Sequence, residues 1–252
     1  MKKIIIAGCT RTNYIAFNLI KKYPEFLYVF VNKQDTPKPQ RKYESIKRNL
    51  CSISINMLLR PDILFRLWCK GRKERKEMKH FVKPNLCCPP NYLIVNNYNS
   101  KEYENILKVE DPDLLIVLGG IILKPQIFNK GKLGCLNIHS SLLPFGRGRD
   151  GPFWALYYNK PAGFTVHYIT EQVDAGDIVF QKEVETKEGD TPLSLRKRIA
   201  DEIINSFPEI LDKFKDGKSV GRKQEFGSLS NKHPTFKDRF ELEITPSQSK
   251  SA

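Results

Sequence analysis

The sequence lacks the long apolar run that a membrane-spanning helix requires. Its 252 residues contain no uninterrupted apolar stretch of about 18 residues. The apolar run near the N-terminus is short and passes directly into polar residues, so it predicts a first β-strand and not a signal peptide. From these absences we expect a cytoplasmic protein whose length suits one domain with a short appendage.

Cysteine is scarce and does not occur at metal-binding spacings. The 6 cysteines form no Cys-x-x-Cys pair, and the metalloprotease pattern His-Glu-x-x-His is also missing. The loop from Gly8 to Asn13, which follows the first predicted strand, matches neither the Gly-x-Gly-x-x-Gly fingerprint nor the Walker loop, two common phosphate-binding patterns. We therefore expect reduced thiols and no metal site.

Acidic residues are few relative to basic ones, but the imbalance is local. The formal net charge is +14, and residues 38–83 alone carry 14 Lys and Arg against 4 Asp and Glu. A nucleic-acid-binding protein is more typically basic over a whole face of the domain, so we expect no stable nucleic-acid partner. The basic segment is compatible with contact to an anionic surface, and equally with packing on the body while its lysines face water.

Alternating strand and helix patterns predict an α/β fold with a doubly wound, mostly parallel sheet. A short apolar run and a helical pattern occupy residues 3–22, and the same rhythm returns from residue 92 onward. Residues 1–220 form the predicted main domain, with a basic helical insertion at about 35–90 that contains two short helices divided at Pro61 and a charged helix over 70–83. Residues 221–252 form a short extension without strong periodicity, and we expect its end to be disordered.

A polar trio stands out within this pattern. Asn137 and His139 are two residues apart on a predicted strand and therefore point to the same side. Asp174 follows in a later loop. An amide, an imidazole and a carboxylate together suit a transfer in which an oxyanion forms and an amine loses a proton. The trio indicates an enzyme.

The sequence around this trio resembles a known family. Leu136–Pro144, Gly146-Arg-Gly148, Gly163–His167 and Val173–Asp177 occur in the order and at the spacing of the catalytic core of the 10-formyltetrahydrofolate-dependent formyltransferases. The similarity is dense over about residues 113–185, and it is greatest to the sugar N-formyltransferases. Ser140 departs from the family, in which many members have proline. The resemblance implies a Rossmann-like formyltransferase fold and 10-formyltetrahydrofolate as the formyl donor.

The resemblance also implies roles for individual residues. Asn137 and His139 would stabilise the oxyanion, and Asp174 would assist proton transfer. Glycines at a strand end allow a ligand to approach the backbone closely, as Gly119 and Gly120 do here. The cofactor-binding residues implied by the family are Leu118, Gly119, Gly120, Ile121, Leu123, Val166, His167, Val173 and Gly176.

The acceptor is the amine on which family members differ. The pair Phe153-Trp154 resembles the Phe-Trp of the sugar N-formyltransferases, although packing in a helix core explains it equally well. Methionyl-tRNA formyltransferases carry an additional C-terminal domain, so we expect instead a nucleotide-linked amino sugar used for surface glycans such as lipopolysaccharide O-antigen. Glycinamide ribonucleotide, methionyl-tRNA and a non-catalytic binding role remain alternatives, and a homodimer is compatible with the sequence. The expected substrate-binding residues are Thr10, Arg11, Thr12, Asn13, Arg147, Phe153 and Trp154.

Overall fold

The computed structural model describes residues 3–8, 13–31, 54, 57, 59–82, 91–225 and 230–244. Its strands are β1 (Ile4–Gly8), β2 (Leu27–Val31), β3 (Tyr92–Val95), β4 (Leu114–Leu118), β5 (Cys135–His139), β6 (Ala162–Tyr168) and β7 (Ile178–Val184). Its helices are α1 (Asn13–Lys22), α2 (Pro61–Val82), α3 (Lys101–Glu110), α4 (Pro125–Phe128), α5 (Gly151–Tyr157), α6 (Pro192–Asp212) and α7 (Phe236–Ile244).

The strands form one sheet of mixed direction. Their order is β3-β2-β1-β4-β5-β6-β7. The first five strands in this order are parallel to one another, β6 runs antiparallel to β5, and β7 runs antiparallel to β6. Every residue of β1 and β4 is buried. Continuous apolar runs of this kind suit central parallel strands that are covered on both faces. The prediction of a doubly wound, mostly parallel α/β sheet is confirmed.

Helices cover both faces of the sheet, because alternate strand residues point to opposite sides. Ile4 and Ile6 pack in one cluster with residues of α1 and α6. Ile5 and Ala7 pack in a second cluster with residues of α3 and α4. Cys135 belongs to the second cluster, so the two-residue period directs Asn137 and His139 to the same face, at the carboxyl end of β5.

The insertion differs from its prediction. A single helix, α2, begins at Pro61 and continues through the charged run to Val82, where two separate helices were expected. Proline is tolerated in the first turn because the first amide groups of a helix have no intrahelical partner, and the charged side chains that follow can face water. The predicted helix before Pro61 and residues 38–53 lie outside the described residues, apart from isolated positions. Within the described ranges, no helix is both long and apolar enough to cross a membrane.

The C-terminal extension contains a helix that its weak periodicity did not predict. Thr235 and Asp238 cap α7 reciprocally, since the Thr235 hydroxyl accepts from the Asp238 amide (3.2 Å) and the Asp238 carboxylate accepts from the Thr235 amide (2.6 Å). Phe240 of α7 is buried in a cluster with Met57 and Ile63. The apolar partner of α7 is therefore distant in the sequence, which is why local periodicity failed to reveal it. The end of the chain that we expected to be disordered lies outside the described residues.

The packing of α6 on the sheet generates a prediction for stability. Phe207 is fully buried, and its ring packs against Tyr23 at a centroid distance of 5.3 Å. We expect Phe207→Ala to lower the free energy of unfolding by about 3–5 kcal/mol, because it removes apolar contacts and leaves a cavity. Urea denaturation measures the change. Val220→Ala is the control, since Val220 is 95% exposed and its change should stay within about 0.5 kcal/mol. Equal midpoints for Phe207→Ala and the wild type would contradict this packing.

Candidate active site

The pairing of β5 with β6 places two polar side chains opposite each other. Asn137 is the cross-strand partner of His167, and its Nδ2 atom donates to Nε2 of His167 (3.2 Å). The other ring nitrogen, Nδ1, lies 2.9 Å from the Tyr168 carbonyl oxygen, which can only accept a hydrogen bond. Nδ1 of His167 therefore carries the proton, and Nε2 is left as the acceptor. Burial lowers the pKa of His167 to about 4, so this ring is neutral near neutral pH.

His139 is oriented by the loop that follows β5. Its Nε2 atom lies 2.9 Å from the Gly146 carbonyl oxygen and therefore donates to it. Its Nδ1 atom faces Oδ1 of Asp174 at 3.8 Å, a separation that a small side-chain movement or a water molecule can bridge. Gly146 packs so closely against Ser141 that a Cβ atom would lie 1.5 Å from the Ser141 hydroxyl oxygen. The loop approaches the imidazole at a position that only glycine can occupy.

Asp174 lies between the two imidazoles. Its Oδ2 atom accepts from the Gly148 amide (3.0 Å), and Oδ1 is 3.8 Å from Nδ1 of His139 and 3.7 Å from Nε2 of His167. The residue has a φ of 52°, a left-handed conformation in which aspartate is more common than most residues. The structure therefore brings the three predicted catalytic residues together. His167, which we had expected among the cofactor-binding residues, joins them as a fourth member.

Three of these four side chains, Asn137, His167 and Asp174, line a cleft that is open to solvent. His139 lies beside Asp174 at the edge of this group, and its side chain is 12% exposed. The Oδ1 atom of Asn137 is buried and has no hydrogen-bond partner in the part of the chain that the structure describes. Buried polar atoms are usually paired, so this acceptor is available to a ligand. The other lining residues are Ile121, Ile122, Leu123, Ile169, Thr170, Glu171, Gln172 and Val173.

The cleft only partly matches the expected cofactor-binding residues. Four of them line it, namely Ile121, Leu123, His167 and Val173, and Gly119 and Gly120 lead into it with φ values of 64° and 68°. Of the other three, Leu118 and Val166 have their side chains in the core, and a Cβ on Gly176 would meet the Tyr168 carbonyl oxygen at 1.9 Å, so main-chain atoms are what these residues can offer to a ligand.

Five further lining residues were not named individually among the expected cofactor-binding residues: Ile122, Ile169, Thr170, Glu171 and Gln172. They lie within the two segments, 118–123 and 166–176, against which the family resemblance implies that the folate binds. Ile122 is 73% exposed, which is unusual for a large apolar side chain beside a strand end.

The structure describes only some of the expected substrate-binding residues. Thr10, Arg11 and Thr12 lie outside the described residues, as does the side chain of Asn13. Arg147 joins two loops of the site, because its Nη2 atom donates to the Val173 carbonyl oxygen (2.8 Å).

Phe153 and Trp154 were both expected to contact the substrate, and the structure corrects that expectation for Phe153. Phe153 is only 2% exposed and packs against Trp154 and Tyr157, so it belongs to the core. The indole Nε1 of Trp154 donates to the Lys232 carbonyl oxygen (2.9 Å) in the C-terminal extension. Among the described residues, no group of three or more His, Cys, Asp or Glu side chains is arranged to hold a metal ion.

Known proteins of similar structure share the fold but are distant in sequence. A 4-N formyltransferase from Francisella tularensis has a TM-score of 0.53 and 16% identity, covering 95% of this chain and 86% of that one. Glycinamide ribonucleotide transformylase 1 from Symbiobacterium toebii has a TM-score of 0.54 and 22% identity, covering 89% of this chain and 95% of that one. At these identities the similarity concerns the fold.

One part of the chain is more similar in sequence to known proteins. Methionyl-tRNA formyltransferase from Bacillus cytotoxicus is 40% identical over 102 residues, which cover 40% of this chain. The match spans about a third (32%) of the length of that relative. Residues 69–211, more than half of the chain, match the model of the formyl transferase family and include Asn137, His139 and Asp174. The chain therefore belongs to the formyl transferase family.

Proposed function

We propose that the protein transfers a formyl group from 10-formyltetrahydrofolate to the primary amine of a nucleotide-linked amino sugar, for use in surface glycans. The observation that carries formyl transfer is the arrangement of Asn137, His139 and Asp174 around one end of an open cleft. The cleft suits the donor because Ile121, Ile122 and Val173 offer apolar contacts to a ring system. The polar centre, which consists of Asn137, His139, His167 and Asp174, then contacts the reacting group. The bound folate supplies the formyl carbon.

The first step is attack of the amine on the formyl carbon, which places negative charge on the formyl oxygen. Asn137 has two amide hydrogens, of which one is donated to His167. The second can be donated to the oxyanion, a contribution typically worth about 3 kcal/mol for one donor. Neutral His167 keeps the Asn137 amide from rotating. The free Oδ1 atom of Asn137 can accept a hydrogen bond from the amine and so orient its lone pair.

The amine must then lose a proton before the intermediate collapses. Asp174 is the nearest carboxylate, and it accepts that proton directly or through one water molecule. His139 lies beside Asp174 with Nε2 engaged by Gly146, so Nδ1 is the atom through which it shares the proton and the developing charge. Collapse breaks the bond between the formyl carbon and the folate nitrogen, which leaves with a proton. The products are the formamide and tetrahydrofolate.

The acceptor is the finer part of the proposal. A nucleotide-linked amino sugar is favoured by the resemblance of the sequence around the trio to the sugar N-formyltransferases, which extends to Trp154. Methionyl-tRNA is the second candidate, because the relative that is 40% identical over 102 residues is a methionyl-tRNA formyltransferase. The polar centre acts only on the amine and the formyl group, which are common to the reactions of both acceptors, and therefore does not distinguish between them. Homodimer formation stays a prediction.

The acceptor can be identified with a substrate panel. Purified protein is incubated with 10-formyltetrahydrofolate and, separately, with amino-sugar nucleotides, glycinamide ribonucleotide or methionyl-tRNA. We expect mass spectrometry to detect the addition of one formyl group to an amino-sugar nucleotide, together with release of tetrahydrofolate. Reaction with methionyl-tRNA alone would replace the sugar proposal by the second candidate. A lack of reaction with every acceptor would contradict formyl transfer.

The polar centre can be tested by removing one functional group at a time. We expect Asn137→Ala, His139→Ala and Asp174→Asn each to lower kcat by about 100-fold or more, because each change removes an oxyanion donor or a proton acceptor. Steady-state kinetics with the reactive acceptor measures the loss. Asp216→Asn makes the same chemical change at an exposed position and should leave kcat unchanged. Full activity of the three site variants would exclude the proposed mechanism.

The neutral state of His167 predicts how stability depends on pH. The unfolded chain binds the proton with the ordinary pKa of about 6.5, whereas the folded chain binds it only at about 4. Between these values the unfolded state binds more protons, so stability is lost as the pH falls from about 6.5 to about 4. We expect the urea midpoint to drop more steeply over this window in the wild type than in His167→Gln. Parallel curves for the two proteins would show that His167 is not held neutral.

A further inference from the structure

Helix α2 presents an aromatic and basic face to solvent. Phe65 is 63% exposed and Trp68 is 53% exposed, and their rings stack at a centroid distance of 5.9 Å. The Arg72 guanidinium lies 4.7 Å from the centre of the Trp68 ring. These residues are three or four positions apart and therefore share one side of the helix. Two large aromatic rings side by side in water are unusual on a protein surface without a partner.

The opposite face of α2 is held by the body of the protein, so the aromatic face cannot turn inward. Ile63 is buried against Phe240 in the small cluster with α7. Lys70 forms an ion pair with Glu243 at 2.7 Å. Glu77 forms another with Lys197 of α6 at 3.4 Å. These contacts fix which side of α2 remains outside.

The charge of the outer face has one dominant sign. Arg72 and Lys76 are exposed, and helical spacing places them on the same side as the aromatic pair. Arg66 and Lys73 are exposed at the flank of this side. Asp62 is an acidic residue at the start of this side, where it pairs with Arg60 at 3.0 Å and with Arg66 at 3.6 Å. Glu77 points toward α6. The face is therefore cationic over most of its length.

We propose that this face, which consists of Phe65, Trp68, Arg72 and Lys76 and is flanked by Arg66 and Lys73, binds the surface of an anionic membrane. Exposed aromatic rings enter the boundary between head groups and acyl chains, while Lys and Arg remain at the level of the lipid phosphates. An anionic lipid surface satisfies both features of the face at once. A nucleic acid would satisfy the charge, but a stacked aromatic pair on a rigid helix is less suited to separating and stacking bases. The inference is independent of the reaction.

Vesicle binding by the full chain tests the proposal. We expect the protein to sediment with vesicles of phosphatidylcholine and phosphatidylglycerol at low salt, and not with phosphatidylcholine alone. High salt should release it, because the attraction is screened. Binding should shift the Trp68 fluorescence to shorter wavelength, and the shift should vanish in Trp68→Phe. The triple variant Arg72→Glu, Lys73→Glu, Lys76→Glu should bind at least about tenfold more weakly.

A matched control distinguishes binding by this face of α2 from binding through the net charge of the whole protein. Lys160→Glu, Lys187→Glu and Lys213→Glu change the total charge equally at exposed positions outside α2, and this variant should bind nearly as tightly as the wild type. The proposal is overturned by an absence of binding at low salt, by equal losses in the two triple variants, or by full binding of Phe65→Ser, Trp68→Ser. Binding to an RNA duplex but not to vesicles would assign the face to nucleic acid instead.

A separate set of contacts concerns the loop that orients the catalytic residues. The Asn231 amide donates to the Arg147 carbonyl oxygen (2.8 Å), and the Asn231 carbonyl oxygen accepts from the Arg149 amide (3.0 Å). Gly148 lies between them, and a Cβ atom there would lie 2.3 Å from the Asn231 carbonyl oxygen. The C-terminal segment thus adds a short strand-like edge to the outside of the loop 146–149.

The inner side of the same loop holds the polar centre. The Gly148 amide donates to Asp174, and the Gly146 carbonyl oxygen accepts from His139. Displacement of the loop by a fraction of an ångström therefore changes the positions of both catalytic side chains. A misplacement of this kind is costly for a reaction that depends on aligned groups.

The C-terminal segment is itself anchored on two helices. The Trp154 indole of α5 donates to the Lys232 carbonyl oxygen (2.9 Å). His233 pairs with Asp150, and the same carboxylate pairs with Arg196 of α6 at 3.2 Å. The anchors keep Asn231 against the loop. The segment lies beyond residues 69–211, the region that matches the family model.

From these contacts we infer that Asn231 is a positioning residue for His139 and Asp174, a role that rests on the proposed formyl transfer. Asn231→Pro removes the amide that bonds to Arg147, whereas Asn231→Ala keeps it. We expect Asn231→Pro to lower kcat at least about tenfold, with the KM for the donor changed by less than about twofold. Asn231→Ala should resemble the wild type. Circular dichroism and the thermal midpoint report whether the proline variant is folded.

The positioning role of Asn231 can be tested even if the protein catalyses a reaction other than formyl transfer. Nuclear magnetic resonance of the histidine rings needs no substrate, and we expect the His139 signals to move in Asn231→Pro but not in Asn231→Ala. Unmoved signals, equal kinetics of the two variants, or a higher KM at unchanged kcat would overturn the positioning role. An inactive wild type with shifted His139 signals in Asn231→Pro would contradict the proposed function and support the role of Asn231.

Discussion

When β6 runs antiparallel to β5, His167 comes to lie opposite Asn137, and the chain that leaves β6 returns Asp174 to the carboxyl end of β5. The rest of the site depends on this pairing. A parallel crossover at this position would carry the chain away to the other end of the sheet. The change of direction after five parallel strands therefore concentrates one amide, two imidazoles and one carboxylate within a few ångströms.

Burial and hydrogen bonding keep this concentration of polar groups ordered. Desolvation favours the neutral form of His167, and the Tyr168 carbonyl oxygen selects the tautomer that accepts from Asn137. On the other side, Gly146 and Gly148 bring backbone groups to His139 and Asp174 at distances that side chains would block. The site is thus held by main-chain atoms around its edge, and the C-terminal segment supports that edge from outside. The candidate site and the C-terminal segment are thus connected through a few backbone hydrogen bonds.

Most of the fold could be predicted from the sequence because apolar runs and helical periodicity are local signals. The strands from β1 to β7 follow them closely. Prediction failed for α7, because its stability comes from Phe240 packing on the insertion. It failed in part for α2, which begins at Pro61 as expected but continues without a break through the charged run that was expected to form a separate helix. The side chains of Leu118, Val166 and Phe153 point into the core, and sequence position alone could not show this because it depends on the packing of the sheet and of α5.

The sequence by itself determined the α/β fold class and the chemical identity of the groups at the candidate site. Both follow from local patterns: the alternation of apolar strands with helices, and the two-residue spacing that turns Asn137 and His139 to one side. Only the tertiary structure decided that His167 lies with them, that Asp174 lies between the two imidazoles, and that Asn231 bonds to the loop 146–149. Each of these depends on contacts between residues far apart in the chain, which form only when the apolar faces of the sheet are buried.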